Sequence, residues 1–569
     1  MTVGRDLLIG EFRGKGQLNL AHGARLNSTG NAIIGADVTG QGAMRVDSFA
    51  QWTNSGDIAV GYLNTGTAQV SGGGQVFGNH NTIVGHQASG NGSLFIAGAD
   101  SSWLTNDLHV GYDGVGLLEL SSGAWLFNSL SALGTHRDSR GTATVRGIGT
   151  EWLSARLVVG VDSVGTLTVE DGAAVISNDG ELGRAATGVG TALVRGSGST
   201  WRNSQNLSVG GAGQGLLTIE NGGLVENFGA SLADSIGSSG EVTVSAARWV
   251  NRSGLNLGLR GRGTLTVSDA GHVSDSVAVV GNVQGASGLA RVLGANSVWA
   301  TSGSLFVGYS GQGRVEVAEG AVVTSANGAL GMEATGVGNV VIDGAGSQWQ
   351  IAGELLLGLV GRGTVDLQHG GGLRIGSTLV LGPQGTLNLR DGTLDAHTLA
   401  IFGGAFNFSG GRLQVTRIDG ALVNQGGTLA PGHSPGRTEV TGDYTQGAAG
   451  TLEIELASDS RFDVLSVSGA AHLDGTLAIK LGEDFDPLIG SHFDFLFIGQ
   501  GIVGAFAQVV SPTWNGKRLL LDTGTDKLLR LTVAAVPVPS AAWLLAGAVV
   551  LLGGRARRRA PPGSVQGGS

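Results

Sequence analysis

Seven tryptophans that recur at a nearly constant interval are the feature of this sequence that most limits its fold. Eight or nine residues after each one, a short apolar run ends in glycine, as in LVVG at 157–160. A fixed interval of this length indicates a chain built from stacked copies of one structural unit. The tryptophans lie 48 to 51 residues apart, at Trp52, Trp103, Trp152, Trp201, Trp249, Trp299 and Trp349.

Each repeat divides into two similar halves of short strands. TLTVE at 166–170 alternates apolar and polar residues, and the following Asp171-Gly172 pair tolerates the positive φ of a tight turn. A second apolar step ending in glycine, such as VVG at 279–281, marks the other half. One half is too short to cover its own apolar face, so neighbours must stack. The pattern therefore predicts an all-β chain, most of it a right-handed parallel β-helix (β-solenoid).

The glycine content agrees with many turns between short strands. The chain of 569 residues contains 104 glycines, and glycine costs about 1 kcal/mol against alanine inside a helix. A β-propeller with blades of about fifty residues is the main alternative. The two halves of each repeat, and a pattern that continues past the last tryptophan at 383–395, favour the open solenoid.

The repeats and the later changes in composition suggest five regions. LLIG at 7–10 matches the step that follows a tryptophan, yet no tryptophan precedes it, and the first residues do not form a signal peptide. We therefore expect that a signal peptide and part of a cap precede Met1. The regions are about seven tryptophan- and glycine-rich repeats with the first truncated (1–349), degenerate repeats (350–430), a C-terminal β segment (431–533), a hydrophobic helix with its flanks (534–559) and a disordered tail (560–569).

The β segment resembles a known class of exported proteins. GGTLAPGHSPG at 426–436, TGDYTQ at 441–446 and GTLEIEL at 450–456 are similar to the C-terminal part of autotransporter passenger domains. The tryptophan repeat resembles the unit shared by type V secretion passengers and PEP-CTERM-tailed proteins. This resemblance implies export. An autotransporter passenger lacking its membrane barrel is one alternative, because too few residues follow 510 for such a barrel.

The end of the chain has the composition of a sorting signal. Residues 533–554 carry no charge and are long enough for a membrane helix, and the arginines after them favour a cytoplasmic C-terminus. VPVPSAAWLL at 536–545 resembles the VPLPA-type PEP-CTERM signal, which implies recognition by exosortase, a membrane cysteine protease-transpeptidase of Gram-negative bacteria, and cleavage near Pro537 and Pro539. A plain membrane anchor is the other interpretation. The signal residues are Val536, Pro537, Val538, Pro539, Trp543, Arg555, Arg557, Arg558 and Arg559.

Few residues point to chemistry. The acids mostly occupy turns, including Asp171, Asp269, Glu319 and Asp391, where turn formation and solubility explain them. His80 and His86 lie close in sequence but have no acidic partner nearby. We predict no catalytic, cofactor-binding or metal-binding residue and no cofactor. The absence of cysteine excludes disulfides, and a net charge of −10 argues against nucleic acid as a partner.

The sequence thus predicts an exported cell-surface or extracellular-matrix β-solenoid with a structural or adhesive role. Its expected partners are exosortase, exopolysaccharide or other surface proteins, and the membrane through the C-terminal helix before processing, which would hold it at the surface transiently or permanently. The tryptophans are expected to form an interior or edge ladder rather than a sugar platform. An exported β-helix polysaccharide lyase or hydrolase is the enzymatic alternative, and it would need two or three carboxylates, or a carboxylate with arginine or lysine, on one face of successive coils.

Overall fold

A computed structural model describes residues 1–433 and 435–537. It is an all-β, parallel β-solenoid of about 19 turns, and no helix occurs in the described part of the chain. The predicted solenoid is confirmed. Parallel pairing of each turn with the next excludes the closed ring of blades of a propeller.

Each turn has three faces. In one turn, Gln214–Glu220 lies on what we call the long face, Leu224–Asn227 on the tryptophan face and Gly229–Leu232 on the third face. Gln214–Glu220 pairs in parallel with Val189–Arg195 of the preceding turn and with Ser239–Ser245 of the following one. The tryptophan and third faces form one sheet and the long face forms the other.

The long-face strands are Lys15–Leu20, Gln41–Val46, Thr65–Val70, Asn91–Ala97, Val115–Ser121, Arg140–Arg146, Val164–Glu170, Val189–Arg195, Gln214–Glu220, Ser239–Ser245, Arg262–Ser268, Ser287–Leu293, Gln312–Ala318, Val337–Asp343, Arg362–Gln368, Gly385–Leu389, Ala405–Phe408, Leu422–Asn424, Tyr444–Gln446, Ala470–Leu473 and Gly501–Gly504. The tryptophan-face strands are Thr2–Val3, Arg25–Ser28, Gln51–Asn54, Gln75–Gly78, Ser102–Leu104, Thr200–Asn203, Leu224–Asn227, Arg248–Asn251, His272–Asp275, Val298–Thr301, Val322–Ser325, Gln348–Ile351, Thr428–Pro431, Thr451–Leu456, Thr476–Leu481 and Gln508–Val510. The third-face strands are Leu7–Ile9, Ala32–Ile34, Ile58–Val60, Thr82–Val84, Asp107–Val110, Asn206–Val209, Gly229–Leu232, Gly254–Leu257, Val277–Val280, Ser304–Val307, Asn327–Leu330, Leu355–Leu357, Arg437–Val440, Val464–Val467 and His492–Ile498. Six longer strands continue from the tryptophan face into the third face: Trp125–Leu133, Glu151–Val159, Ala174–Leu182, Gly372–Leu381, Thr393–Ile401 and Arg412–Asp419.

Glycine follows most third-face strands and lets the chain turn onto the long face, whereas Ala233, with φ of 60°, takes this position after Gly229–Leu232. Gly210 has φ of 79°, in the left-handed region that favours glycine. A Cβ atom on Gly210 would also collide with the carbonyl oxygen of Ser239 in the next turn. Both conformation and space therefore require glycine where the sequence shows LSVG at 207–210. Along the long-face strands, Leu217 and Ile219 are buried, so the alternating pattern does place one side in the core.

An antiparallel hairpin ends the described fold. After the last parallel strand come the short strand Thr513–Trp514 and the strands Lys517–Thr525 and Leu528–Ala535. Leu528–Ala535 pairs in antiparallel fashion with both Lys517–Thr525 and His492–Ile498. Its side chains Leu529, Leu531 and Val533 are buried and extend the core into the hairpin.

The predicted C-terminal hydrophobic helix lies almost wholly outside the described residues. Of 534–559, only 534–537 are described, and the first two of these belong to the strand Leu528–Ala535. Within 1–433 and 435–537, no helix long and apolar enough to cross a membrane is present.

Removal of a whole two-turn unit should leave the solenoid intact. Deleting residues 250–299 joins Trp249 to Ala300, which lies two turns further on in register with Val250, the residue that follows Trp249 in its strand. We expect an unchanged circular dichroism spectrum and a column shorter by about 10 Å, or two strand spacings, in small-angle X-ray scattering. A deletion of 250–286 should aggregate or unfold, because it joins a tryptophan-face strand directly to a long-face strand. Equal tolerance of both deletions would contradict the register described here.

Candidate functional site

The seven repeat tryptophans are buried inside the column. Each is 0 or 1% exposed, and each lies on the inner side of the tryptophan face. The indole rings reach toward the corner with the third face, where small residues make room: a Cβ atom on Gly180 would meet Trp201, and one on Gly328 would meet Trp349. An interior ring has no free face for a sugar, so these tryptophans stabilise the column and do not form an exposed platform.

Tryptophan alternates with a smaller aliphatic residue from turn to turn. Val225 is in register with Trp201 on one side and with Trp249 on the other, and Val273 continues the same row to Trp299. A 25-residue turn therefore gives a 50-residue sequence period, because only every second turn carries the large side chain.

The indole N–H of each of these seven tryptophans donates a hydrogen bond to a polar side chain of the preceding turn. A buried N–H without a hydrogen-bond partner would lower the free energy of unfolding, so burial of the indole rings depends on this row of acceptors. The acceptors are Ser28 Oγ, Thr82 Oγ1, Asn128 Oδ1, Ser177 Oγ, Asn227 Oδ1, Asp275 Oδ2 and Ser325 Oγ, at 2.7 to 3.2 Å from Nε1. Sequence reasoning missed these residues, although most precede their tryptophan by 24 positions.

Asp275 is the one charged residue among these acceptors. It accepts a hydrogen bond of 2.7 Å from Trp299 through Oδ2, while its Oδ1 is buried without a hydrogen-bond partner. Burial raises its pKa to about 6, against the opposing effect of the bond from Trp299. The equivalent residue two turns earlier is Asn227, which serves Trp249 without a charge.

An outer row of tyrosine and histidine rings follows the corner between the third and long faces. Tyr62, His86, Tyr112 and His136 come from four successive turns, with ring centroids 4.7, 5.5 and 4.2 Å apart. His136 Nδ1 lies 2.8 Å from an Asp113 carboxylate oxygen. Desolvation lowers the pKa of His86, so its ring is neutral at pH 7. Among the residues that the structure covers, no three histidine, cysteine or acidic side chains are placed to hold a metal ion.

Most of the predicted sorting residues lie outside the described residues. Val536 and Pro537 are the last two described residues; Val536 is 39% exposed and its N–H donates to the carbonyl of Gly516 at 2.8 Å. The proline motif therefore begins directly where the hairpin ends. The sorting residues outside the described part are Val538, Pro539, Trp543, Arg555, Arg557, Arg558 and Arg559.

A groove crosses the outer surface of the long face between the strands Val189–Arg195 and Val337–Asp343. It consists of two connected hollows of about 570 and about 280 Å³, which share Glu241, Arg262 and Thr264. The larger hollow is lined by three arginines, one from each of three consecutive turns: Arg262, Arg291 and Arg314. We call this region the long-face groove. Sequence reasoning did not bring these arginines together, because about 25 residues separate each from the next.

Comparison with known proteins gives no family assignment. The chain matches no protein-family model, and a search of curated proteins finds no match to it.

Loss of an interior indole should destabilise the column strongly. Trp201→Ala removes a buried ring and leaves Ser177 without the indole donor, so we expect the free energy of unfolding to fall by about 3 to 5 kcal/mol. The matched control is Trp125→Ala: Trp125 is 37% exposed and stacks on exposed Phe127, and its loss should cost about 1 kcal/mol or less. Chemical denaturation of both variants measures the difference, and similar losses would contradict the interior role.

Asp275 should make stability depend on pH. The unfolded carboxyl titrates near 3.8 and the folded one near 6, so the folded state binds more protons between these values and loses stability as pH rises through them. Asp275→Asn should therefore be more stable than the natural chain above pH 7, by on the order of 3 kcal/mol, with little gain near pH 4. Thermal melts across this range measure the effect. Asn251, which is buried and in register with Asn227, lies between the acceptors Asn227 and Asp275. The reverse change there, Asn251→Asp, should add a similar pH-dependent loss, and a gain for Asp275→Asn that does not vary with pH would refute this account.

Proposed function

We propose that this chain is an exported cell-surface or extracellular-matrix protein with a structural or adhesive role, sorted by a C-terminal signal that exosortase recognises. The β-solenoid would present a long, regular surface to exopolysaccharide or to other surface proteins. Many weak contacts along one rigid body add up to useful affinity, so such a column needs no single deep pocket. We also propose right-handed winding, which parallel strand connections strongly favour, and a hydrophobic helix after the proline motif.

The observation that carries the sorting proposal is the position of the proline motif relative to the fold. The last strand ends at Ala535, and the exposed Val536-Pro537 pair follows at once. Cleavage near Pro537 and Pro539 would release the column with its last hairpin complete. A motif at this point is accessible to a membrane enzyme without unfolding of any strand.

The distribution of acids favours this role over a polysaccharide hydrolase. Asp171, Asp269 and Glu319 adopt positive φ at separate corners, as turn residues do. The larger hollow of the long-face groove has a single carboxylate in its lining, Glu241. A glycoside hydrolase would bring two carboxylates to one substrate bond, and Glu241 has no second carboxylate beside it in this lining.

Processing of the tail tests the proposal. We expect that the full chain, carrying an export signal and an epitope after Ser569, loses this epitope in exosortase-containing Gram-negative cells and keeps it in cells from which exosortase has been deleted. Pro537→Ala with Pro539→Ala should block the loss, since the signal would no longer be recognised. The matched control is Pro561→Ala with Pro562→Ala, beyond the arginines, which should still be processed.

Immunoblotting and intact-mass measurement of the surface fraction report the cleavage. Retention of the epitope on the natural chain in exosortase-containing cells would show that the tail is a plain membrane anchor. Equal processing with and without exosortase would assign the cleavage to another protease and overturn the proposal.

A further inference from the structure

We propose that the long-face groove binds a linear acidic polysaccharide through Arg262, Arg291 and Arg314. This inference deepens the proposed adhesive role, since it names the chemical class of the ligand and the surface that takes it. The groove runs along the column axis across seven strands, from Val189–Arg195 to Val337–Asp343. With about 4.8 Å between strands, its length is on the order of 30 Å, which fits a polymer rather than a small molecule.

Two of the three guanidinium groups are held in place by one carboxylate. Arg291 and Arg314 each donate from Nε to Glu316, at 2.9 and 2.6 Å. Partial burial opposes ionisation of Glu316, but hydrogen bonds from Arg314 and Arg291 outweigh it and lower the pKa of Glu316, so the carboxylate is charged at neutral pH.

The outer nitrogens of these arginines are left free to bind. No hydrogen bond from an Nη atom of Arg291 or Arg314 to a protein group is found among the described residues. A guanidinium fixed through Nε still offers its paired Nη donors to an external carboxylate or sulfate, in the bidentate geometry that arginine favours. Because the side chains are already ordered, a ligand would pay less of the entropy that binding normally costs.

Arg262 supplies the third positive charge. It lines both hollows and forms no ion pair within the described part of the chain. Glu241 is the single carboxylate in the lining of either hollow. With Glu316 included, three arginines face two carboxylates, so the groove keeps a small net positive charge on a protein whose net charge is −10. This local reversal of sign is the basis for expecting an anionic ligand.

The uncharged lining suits a sugar chain. Thr264, Ser287, Gln312 and Asn339 place hydroxyl and amide groups along the larger hollow, where they can exchange hydrogen bonds with sugar hydroxyls. Leu289 and Val337 add apolar surface for the C–H faces of the rings. A nucleic acid is disfavoured, because no aromatic side chain lines either hollow to stack on a base.

A binding experiment on the full chain tests the groove. Alginate is the probe because it is linear and carboxylated, and dextran is the uncharged comparison. We expect alginate to bind, dextran not to bind, and the affinity for alginate to fall as salt is raised. The triple change Arg262→Gln, Arg291→Gln and Arg314→Gln should weaken alginate binding about tenfold or more, as measured by isothermal titration calorimetry.

A charge-matched control separates the groove from general electrostatics. Arg146, Arg156 and Arg202 are exposed and pair with Glu119, Glu181 and Glu226 outside the groove. Changing these three arginines to glutamine should leave alginate binding within about twofold of the natural chain, because the guanidiniums removed do not contact the ligand. Circular dichroism melts establish that both triple variants remain folded.

Several outcomes would overturn the proposal. They are the absence of alginate binding, equal losses in the two triple variants, and dextran binding as tight as alginate binding. Loss of binding in Trp125→Ala but not in the groove variant would move the site to the exposed Trp125–Phe127 stack on the tryptophan face. None of these outcomes bears on the loss of the C-terminal epitope, so failure of the groove and failure of the sorting proposal are distinguishable.

Discussion

Backbone hydrogen bonding between consecutive turns sets the conditions that every other part of this structure meets. A strand of one turn pairs in parallel with the equivalent strand of the next, so each circuit of the chain must return to the same face one strand spacing along the axis. Corners must then be tight and repeatable. Glycines such as Gly160 and Gly210, both with positive φ, provide this at the end of the third face, where a side chain would strike the next turn. The high glycine content follows from this geometry.

The interior is organised by a second, longer repeat. A core of aliphatic side chains of one size would be compatible with backbone pairing in every turn. The chain instead places a tryptophan on alternate turns and a smaller residue such as Val225 between them. Each buried indole N–H then requires a hydrogen-bond acceptor in the preceding turn, and a serine, threonine, asparagine or aspartate side chain provides this acceptor. This arrangement couples turns through side chains as well as backbone. A carboxyl group is a poor acceptor for this row, because burial removes it from water: the pKa of Asp275 is raised to about 6.

Much of the fold could be predicted from the sequence, because its determinants are local and repeated. Each of these signals can be read within a single repeat: the interval from Trp201 to Trp249, the alternation at 166–170 and the glycines at the corners. Features that depend on contacts between units could not be predicted in this way. The arginines of the long-face groove come from separate turns, and His86 belongs with Tyr62 and Tyr112 rather than with its sequence neighbour His80. Val533, which by composition begins an apolar span, is a buried member of the last hairpin.

The direction of the inter-turn hydrogen bonds has a mechanical consequence. These hydrogen bonds run along the column axis on all three faces. A force that stretches the column along its axis therefore acts at once on all the hydrogen bonds that join one turn to the next, rather than on one strand at a time. Separation must then start at an end, where a turn has only one neighbour. At the C-terminal end, the antiparallel strand Leu528–Ala535 adds bonds to His492–Ile498 that no interior turn has. A column tethered at this end would carry traction through these added bonds as well as through its parallel turns.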